Sequence, residues 1–444
     1  MRNGRLGNLA TPLSVQKLQT ALHVKAKGEP GFRFYALYDK VHREDVLRHA
    51  YARCKANGGS AGVDEERFED IEAYGTDRWL GELAKQLKEK TYQPQAVRRV
   101  YIPKSGGSGL RPLSVPTIRD RTVQTAARLV LEPIFEADLP DEQYGYRPER
   151  DALAAVVRVH RLLSSGYTHV VDADLSAYFD SVPHAELLRS VARRVVDRAV
   201  LHLLKMWLET PVEESDDRGR KKRTARNRDE HRGTPQGSPL SPLLSNIYMR
   251  RFVLGWKRLG HEKRLGAHIV SYADDLVICC KGSAEEALRA LRDVMTRLKL
   301  TVNEHKTHVC HLPAEQFDFL GYTFCRCYAT RTGRPYIGTR PSKKSVRRIL
   351  QTIRDHTGRD RTLQTAEMLV LDLNRALRGW ANYFQLGPVG KAYRVIDRYT
   401  TTRLRRWLRE KHHGGPSWTN DALRRDLGLV NVPTLTRRLP WANT

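Results

Sequence analysis

The chain has 444 residues, more than a single hydrophobic core holds, so two or three domains are expected. It carries 77 Lys and Arg against 50 Asp and Glu, a formal net charge of +27, which favours a polyanionic partner such as RNA or DNA. Apolar residues make up 40% of the chain, which excludes a disordered basic tail, and no stretch has the roughly 20 apolar residues that cross a bilayer.

The cysteines and the N-terminus point to a cytoplasmic protein. The first residues lack the apolar segment of a signal peptide. No C-x-x-C spacing occurs among the cysteines, which are Cys54, Cys279, Cys280, Cys310, Cys325 and Cys327. We therefore expect reduced, buried thiols rather than a disulfide framework or a zinc site.

The N-terminal third predicts helices around a basic hairpin. Helical spacing of apolar residues is found over 13–22, 41–56, 77–90 and 117–137. Asn57–Asp64 is a glycine-rich loop, which could approach phosphates or be a plain connection. Val97–Pro103 and Arg111–Pro116 alternate like two strands around a basic turn. Such a hairpin could contact phosphates, but a solvated basic surface has the same pattern.

The middle of the chain holds an acidic strand and two unusual connections. In Thr168–Leu175, alternation places Asp172 and Asp174 on one face, where carboxylates are costly unless paired or coordinated. Residues 213–232 are a dense run of both charges, which predicts a flexible insertion loop, with a direct nucleic-acid contact as the alternative. The Gly- and Pro-rich turn that follows exposes Gln236 and opens a helix.

Tyr272-Ala273-Asp274-Asp275 joins two apolar β-type runs. Adjacent carboxylates repel each other, and a bound divalent cation would remove that repulsion because hard cations prefer carboxylate oxygens. A solvated acidic turn is the alternative for this motif taken alone. With Asp174, about a hundred residues upstream, the pair fits a two-metal phosphoryl-transfer site, since one segment cannot surround two ions.

The C-terminal part predicts a small basic helical module. Residues 340–411 contain 18 Lys and Arg against 6 Asp and Glu. Apolar residues recur at helical spacing in three successive segments, which indicates three amphipathic helices with one cationic face. A further short helix is predicted near residues 419–427.

The motifs and their order resemble group II intron reverse transcriptase/maturases. Tyr272–Asp275 matches the Tyr-x-Asp-Asp signature of reverse transcriptases. The other matching blocks are Asn57–Asp64, Arg99–Thr117, Tyr144–Pro148, Val171–Asp180, Gly233–Tyr248, Asn303–Thr307 and Phe319–Tyr322. They cover roughly residues 45–325, and the basic helices resemble the thumb, or maturase, domain of the family.

The resemblance implies an α/β right-hand polymerase (fingers and palm) with an all-α thumb/maturase domain. The expected divisions are an N-terminal extension (1–45), fingers and palm (46–325), the thumb/maturase domain (326–411) and a basic tail (412–444). The tail could be a remnant of a DNA-binding segment. The chain ends at Thr444 without the endonuclease domain of many relatives, so we expect priming from an existing DNA 3′ end.

The resemblance also implies catalytic roles. Asp174, Asp274 and Asp275 would hold two Mg²⁺ ions. Lys306 is a candidate general acid for pyrophosphate release, and a structural ion pair is the alternative. Asp172 is not a ligand in the family pattern.

The resemblance also implies which residues contact the substrates. Lys104 and Arg111 would contact the triphosphate of the incoming dNTP, and Phe179 would be the gate that rejects a 2′-hydroxyl. Gln236 would lie near the nascent base pair. Gly321 and Tyr322 would support the primer terminus. The RNA-binding surface is expected on the basic helices and the N-terminal segment, with Lys343, Lys344, Arg347 and Arg348 as candidates.

The implied function is an RNA-directed DNA polymerase in the bacterial cytoplasm. It would bind its host group II intron RNA, assist splicing, and copy the RNA from a DNA primer or target during retrohoming. One departure is Ser271, where many relatives have Arg. Two alternatives remain open: an RNA-binding maturase without polymerase activity, and a related reverse transcriptase recruited to phage defence.

Overall fold

The computed structural model describes residues 9–103, 109–216, 218, 220–329, 331–414 and 418–438. None of the helices in these ranges has the length and apolar composition needed to span a bilayer. The helices are α1 (Leu13–Gly28), α2 (Tyr38–Val41), α3 (Glu44–Asn57), α4 (Phe68–Tyr74), α5 (Thr76–Lys88), α6 (Ile118–Glu136), α7 (Ala152–Ser164), α8 (Tyr178–Ser181), α9 (His184–Ala192), α10 (Arg198–Leu208), α11 (Arg226–Asp229), α12 (Ser241–Arg258), α13 (His261–Leu265), α14 (Ala284–Arg297), α15 (Lys343–His356), α16 (Ala366–Tyr383), α17 (Gly390–Lys411) and α18 (Asn420–Arg425).

Three sheets divide the strands among them. The strands are β1 (Val97–Pro103), β2 (Leu110–Val115), β3 (His169–Asp174), β4 (Val212–Ser215), β5 (Lys221–Thr224), β6 (Ala267–Tyr272), β7 (Asp275–Cys280), β8 (His308–His311), β9 (Phe317–Phe319), β10 (Tyr322–Tyr328) and β11 (Pro335–Pro341). Their orders are β2-β1-β4-β5 in the first sheet, β6-β7-β3-β8 in the central sheet and β11-β10-β9 in the third. The central sheet, antiparallel throughout, therefore brings together strands that are far apart in sequence.

The central sheet is buried on both faces, and the two faces differ. Val171, Ala173 and Leu175 lie in the main apolar core with residues of α12 and α14, as alternation predicts. Val170 and Val277 lie on the opposite face, in a second core shared with α7 and the third sheet. The acidic residues of β3 lie on this second face, at the end where apolar packing stops.

The N-terminal segment is part of the main core. α1 packs against α6 and contributes Val15 and Leu22 to the apolar cluster. Arg194 Nη2 donates a hydrogen bond to the Ala26 carbonyl oxygen at 2.6 Å. Asp197 accepts from the backbone N–H of Leu37 at 2.8 Å. Burial and buried hydrogen bonds thus hold this segment to the body of the protein.

The prediction of a flexible loop over 213–232 is wrong for the residues of this range that the structure describes. β4 and β5 form a hairpin that extends the first sheet, and α11 follows it. Glu213 stands opposite Arg223 in the strand register, and Arg223 Nε lies 2.7 Å from Glu213 Oε2. Opposite charges facing each other across two strands stabilise the pairing, so cross-strand ion pairs help to hold β4 against β5.

The C-terminal region is a helical module with its own core. α15, α16 and α17 contribute Ile353, Leu373 and Trp407 to it, so the three predicted helices are confirmed. α18 adds Leu423, which is fully buried. The boundary predicted at residue 326 falls inside β10, and the helices begin at Lys343 after β11.

All six cysteines, each within the described ranges, are free thiols. Five of them are buried and Cys327 is partly exposed. The Sγ atoms of Cys325 and Cys327 lie 4.0 Å apart on the same side of β10. The prediction of buried thiols is therefore confirmed for all but Cys327.

Candidate active site

The acidic motif forms the turn between β6 and β7. Ala273 occupies the left-handed region with φ 58°, a conformation that costs free energy for a residue with a Cβ. Gly145 lies against this turn, and a Cβ atom there would be 2.4 Å from the Ala273 nitrogen. Tyr144 N donates to Ser271 O at 2.9 Å. The segment before α7 thus holds the turn in place, and only glycine fits at position 145.

The strand register brings the carboxylates together. In the β3–β7 pair, Asp174 is directly opposite Asp275, and Asp274 precedes Asp275 in the turn. Partial desolvation, with repulsion from the charges of Asp274 and Asp174, raises the pKa of Asp275 to about 7, although the residue is partly open to solvent. Burial, with the charges of Asp275, Asp318 and Asp174, also raises the pKa of Asp172 to about 7. The site concentrates negative charge that the protein alone does not neutralise.

The Asn303–Thr307 turn, which follows α14, contacts Asp174 at four points. Asn303 Nδ2 donates to Asp174 Oδ2 at 3.0 Å, and Asn303 N donates to Asp174 O at 2.8 Å. Asp174 N donates to Thr307 Oγ1 at 3.3 Å. Lys306 Nζ lies 3.3 Å from Asp174 Oδ2. The backbone and one carboxylate oxygen of Asp174 are therefore fixed by the Asn303–Thr307 turn.

The donor set fits a divalent cation in its chemistry. Carboxylates from β3, β7 and the β6–β7 turn lie at the same end of the central sheet, and their mutual repulsion would fall on binding a hard cation. Among the described residues, no three His, Cys, Asp or Glu side chains already converge on a single ion position. Arg111 is near enough to lower the pKa of Asp275, so one predicted triphosphate contact lies at the site.

The predicted nucleotide pocket is bounded by aromatic rings. The Phe179 ring is partly exposed and lies 6.5 Å from the Tyr146 ring, which is also 6.5 Å from the Tyr272 ring. Phe179 O accepts from Thr234 N at 2.7 Å, and this bond ties α8 to the Gly- and Pro-rich turn. Tyr178 is buried and its hydroxyl donates to Ser245 O at 2.8 Å. Of Tyr178 and Phe179, Phe179 is therefore the residue whose ring is partly exposed.

The turn that carries Gln236 is held against β2. Ser114 N donates to Gln236 O at 2.6 Å. Gly237 has φ 112°, and a Cβ atom there would lie 2.4 Å from Ser114 O, so the approach of the two backbones requires glycine. The Gln236 side chain remains partly exposed. Lys104 lies outside the described residues.

The predicted primer loop connects β9 and β10 and contacts the helical module. Gly321 has φ 82°, and its carbonyl accepts from Ser342 N at 2.8 Å. The Tyr322 side chain is fully buried, and its hydroxyl donates to Tyr383 O at 2.5 Å and accepts from Gln385 N at 3.1 Å. Tyr322 therefore joins the third sheet to α16, and its side chain is not accessible to a primer.

The candidate RNA-binding residues lie on the first helix of the module. Lys343, Lys344, Arg347 and Arg348 are all exposed. Ile349 and Ile353 on the opposite side are buried in the module's core. α15 therefore presents a cationic face, as its amphipathic pattern predicts.

Sequence reasoning missed the roles of Asn303, Thr307, Gly145 and Tyr146. All four belong to blocks that carry the family resemblance, which was the available signal. Asn303 and Thr307 had no assigned partner because Asp174 is about 130 positions away in sequence. Only the tertiary arrangement reveals the contact.

With this geometry in place, comparison with known proteins defines the class. The family described as reverse transcriptase (RNA-dependent DNA polymerase) matches residues 102–324, half of the chain. The group II intron, maturase-specific domain matches residues 346–426. The chain belongs to the reverse transcriptase family, and the second match makes it a reverse transcriptase/maturase of the group II intron type.

Individual relatives agree with this assignment. Protein YkfC of Escherichia coli K12 is 31% identical over 372 residues, which are 74% of this chain and 93% of YkfC. The group II intron-encoded protein LtrA of Lactococcus lactis is 28% identical over 354 residues, which are 65% of this chain and 56% of LtrA. The putative COX1/OXI3 intron 2 protein of Saccharomyces cerevisiae is 26% identical over 337 residues, 62% of this chain and 37% of that protein. The chain thus spans most of YkfC but about half or less of the two intron proteins.

Proposed function

We propose that this chain adds dNTPs to the 3′-hydroxyl of a DNA primer on an RNA template, in a right-hand layout. The first sheet and its helices would be the fingers, the central sheet the palm, and α15–α18 the thumb. The observation that carries the proposal is the strand register that sets Asp174 opposite Asp275 beside Asp274. That arrangement places three carboxylates at one end of a buried sheet, open to solvent.

Asp174, Asp274 and Asp275 would hold two Mg²⁺ ions. Bound there, the ions would activate the primer hydroxyl and stabilise the leaving pyrophosphate. Asn303 would keep Asp174 Oδ2 oriented through its 3.0 Å hydrogen bond. Arg111 would attract the triphosphate into the same space.

Lys306 would supply a proton to the pyrophosphate. Its side chain is 65% exposed, and its contact with Asp174 is 3.3 Å. An exposed ion pair of this kind is weak, so the ammonium group can leave Asp174 and reach a departing phosphate oxygen. If the ion pair is purely structural, replacing Lys306 should lower the catalytic rate only as far as the replacement displaces Asp174.

Nucleotide choice and primer placement follow from the neighbouring segments. Phe179 would exclude a 2′-hydroxyl, and Gln236 would lie against the nascent base pair. Lys104 is proposed as a second triphosphate contact. The backbone of Gly321, held in place by buried Tyr322, would support the primer terminus.

The RNA partner is proposed to be the host group II intron. The cationic face of α15 and the maturase-specific match to residues 346–426 support this assignment. Binding there would assist splicing, and reverse transcription of the intron would follow during retrohoming on target DNA. The basic tail after residue 411 would add contacts to DNA.

Primer extension by the purified protein tests the function. Wild type with RNA template, DNA primer, dNTPs and Mg²⁺ should extend the primer, whereas Asp274→Asn should not, although it should bind the RNA as wild type does. An exposed aspartate on α14 provides the control Asp293→Asn, which should extend normally. Extension by Asp274→Asn at the wild-type rate would overturn the site assignment, and no extension by wild type would favour an RNA-binding maturase.

A further inference from the structure

Two thiols lie side by side on β10, a strand of the third sheet. Cys325 and Cys327 are two residues apart, so both side chains project from the same face of the strand. Their Sγ atoms are 4.0 Å apart. Cys325 is buried, whereas Cys327 is partly exposed. The pair can therefore be reached from solvent through Cys327.

Gly338 on the neighbouring strand makes room for the Cys327 sulfur. In the β10–β11 register, Gly338 is opposite Cys325. A Cβ atom at Gly338 would lie 2.8 Å from Cys327 Sγ, which is too close for any side chain. Gly338 lies within β11 and does not have a positive φ, so glycine is needed there for space and not for backbone conformation. The sulfur of Cys327 thus lies over Gly338, beside Cys325.

A direct disulfide suits this pair poorly. Residues two apart on a strand have Cα atoms about 6.6 Å apart, close to the upper limit of about 6.8 Å for a disulfide. β10 and β11 are paired at every position from Tyr322 to Tyr328, so the backbone is fixed on both sides of the two thiols. Bringing the sulfur atoms to their bonding distance of about 2.05 Å would have to bend this ladder.

A metal ion between the sulfur atoms fits the same backbone without bending it. A metal–thiolate bond is about 2.3 Å long, so two thiolates on one ion lie at most about 4.6 Å apart. The separation of 4.0 Å corresponds to a bent sulfur–metal–sulfur unit with an angle of about 120°. Small rotations of the two side chains would open that angle further. The pair is therefore spaced for an ion rather than for a covalent bond.

The number of available ligands selects the metal. Zinc takes four ligands. Within the ranges that the structure describes, no group of three His, Cys, Asp or Glu side chains could hold one ion. Thiolates are soft ligands that favour Cu(I), and Cu(I) is stable with two of them. A site of two thiols therefore suits Cu(I) better than zinc.

The charges at the pair are consistent with a monovalent ion. Partial burial and the nearby Cys325 thiol raise the pKa of Cys327 to about 11, while the charge of Arg340 acts in the opposite direction. The metal must therefore displace thiol protons. One Cu(I) ion replaces two S–H protons, which go to solvent, and the two-thiolate unit then carries one negative charge. Arg340 is on the same face of the sheet, opposite Thr323, and would offset that charge.

We propose that Cys325 and Cys327 form a two-coordinate site for Cu(I). This site is distinct from the carboxylate site of the central sheet, which suits hard divalent cations through oxygen ligands. It does not depend on the proposed polymerase function. Gly338 is a positioning residue of the site, because the space above it holds the Cys327 sulfur beside its partner.

Competition with a Cu(I) chelator tests the site in the full chain. The protein is titrated with Cu(I) against bathocuproine disulfonate, with ascorbate and without oxygen. Cys327→Ser removes the partly exposed thiol and should leave the fold intact. Gly338→Ala keeps both thiols but fills the space of the Cys327 sulfur. Cys310→Ser, a change at a thiol in the same apolar core as Phe324 of β10, is the control.

We expect wild type to bind one Cu(I) ion per chain. Cys327→Ser should bind it more weakly by about a hundred-fold or more, because one of two thiolates is lost. Gly338→Ala should weaken binding roughly ten-fold, the size of effect seen when the support of a metal ligand is disturbed. Cys310→Ser should match wild type. Excess Mg²⁺ should leave the affinity unchanged, because Mg²⁺ prefers oxygen ligands.

Wild-type affinity in Cys327→Ser, or in a folded Gly338→Ala, would overturn the proposal. An equal loss in Cys310→Ser would show adventitious thiol binding only, and the proposal would fail. X-ray absorption of the wild-type complex should show two sulfur ligands, whereas a nitrogen ligand would assign the ion to a histidine and contradict the site. If Gly338→Ala does not fold, Cys327→Ser and the absorption spectrum decide. None of these results depends on primer extension.

Discussion

The central-sheet site and the helical module are both charged, but they are built in different ways. The site gathers acidic groups from β3 and the β6–β7 turn, about a hundred residues apart, and two of its carboxyl groups have pKa values raised to about 7. The module places basic groups on the outer face of helices whose inner face is an ordinary apolar core. Its charges remain in water and cost the fold little.

This difference separates two uses of charge. Exposed lysines and arginines supply attraction over a broad surface, and no one of them has to be held accurately. Carboxylates that are to share ions must be fixed within a small space, so the fold there contains a left-handed Ala273, a glycine that admits no side chain at 145, and a four-point hold on Asp174. Substitutions at the site should therefore have specific effects. Substitutions in the module should have graded effects.

Apart from the aspartates themselves, the largest specific effect is expected at Phe179. In Phe179→Ala the ring beside Tyr146 is lost, and the space it leaves admits a 2′-hydroxyl. We expect discrimination between dNTP and rNTP to fall by about a hundred-fold, the size of effect that a steric pocket supplies against one added hydroxyl. Single-nucleotide incorporation kinetics measure it, with dNTP incorporation by the same variant as the control. Unchanged discrimination would remove Phe179 from the pocket.

A smaller effect is expected at Asn303, whose side chain contacts Asp174. Asn303→Ala removes the 3.0 Å hydrogen bond to Oδ2 and keeps the backbone bond to Asp174 O. We expect kcat to fall roughly ten-fold, which corresponds to one lost charge-assisted hydrogen bond. As a positioning residue, it should also raise the Mg²⁺ concentration needed for half-maximal activity.

The melting temperature of Asn303→Ala distinguishes this role from a structural one. It should stay close to that of wild type, since the contact is partly exposed. A variant with lower stability and an unchanged Mg²⁺ requirement would show that Asn303 only supports the fold.

The junction between the two regions can be weakened without touching either charge cluster. Tyr322→Phe removes a buried hydroxyl that bonds Tyr383 O and Gln385 N. Leaving those groups unpaired should lower the free energy of unfolding by about 1–3 kcal/mol. Urea denaturation measures the change, and Tyr328→Phe, an exposed tyrosine on the same strand, should have almost no effect. Equal stabilities of the two variants would contradict the role given to Tyr322.

The smallest effect is expected in the way that the stability of the folded protein depends on pH. The folded-state pKa of Asp275, about 7, lies above its unfolded value near 4. Between those values the folded protein binds more protons, so metal-free wild type should lose stability as pH rises from about 4 to 7. Asp275→Asn removes this loss and should be more stable than wild type at pH 8 by up to about 1 kcal/mol, after allowance for solvent screening.

Thermal unfolding in EDTA at pH 4 and pH 8 checks the sign. The gain should vanish at pH 4, where the carboxyl group of wild type is neutral. The control Asp293→Asn should show no such dependence on pH. A variant that is less stable than wild type at pH 8 would contradict the repulsion assigned to the site.

The sequence predicted these regions unequally, for physical reasons. Local periodicity was enough for α15–α17, because each helix buries one face within its own module. The three aspartates were singled out because acidic residues interrupt apolar strands, and their role at one metal site stays a prediction. The β4–β5 hairpin was missed because its ion pairs join residues on two strands, as Glu213 and Arg223 do. Asn303's contact with Asp174 was missed because it depends on the packing of distant segments.

Counting bound ions tests the central claim most directly. Electron paramagnetic resonance of Mn²⁺ titrated into the protein, with an RNA template, a chain-terminated DNA primer and the next dNTP, reports how many ions the assembled site holds. The account predicts two ions for wild type and at most one for Asp174→Asn, with Asp293→Asn unchanged. Two ions of unchanged affinity in Asp174→Asn would contradict the assignment of Asp174, Asp274 and Asp275 to a single two-ion site.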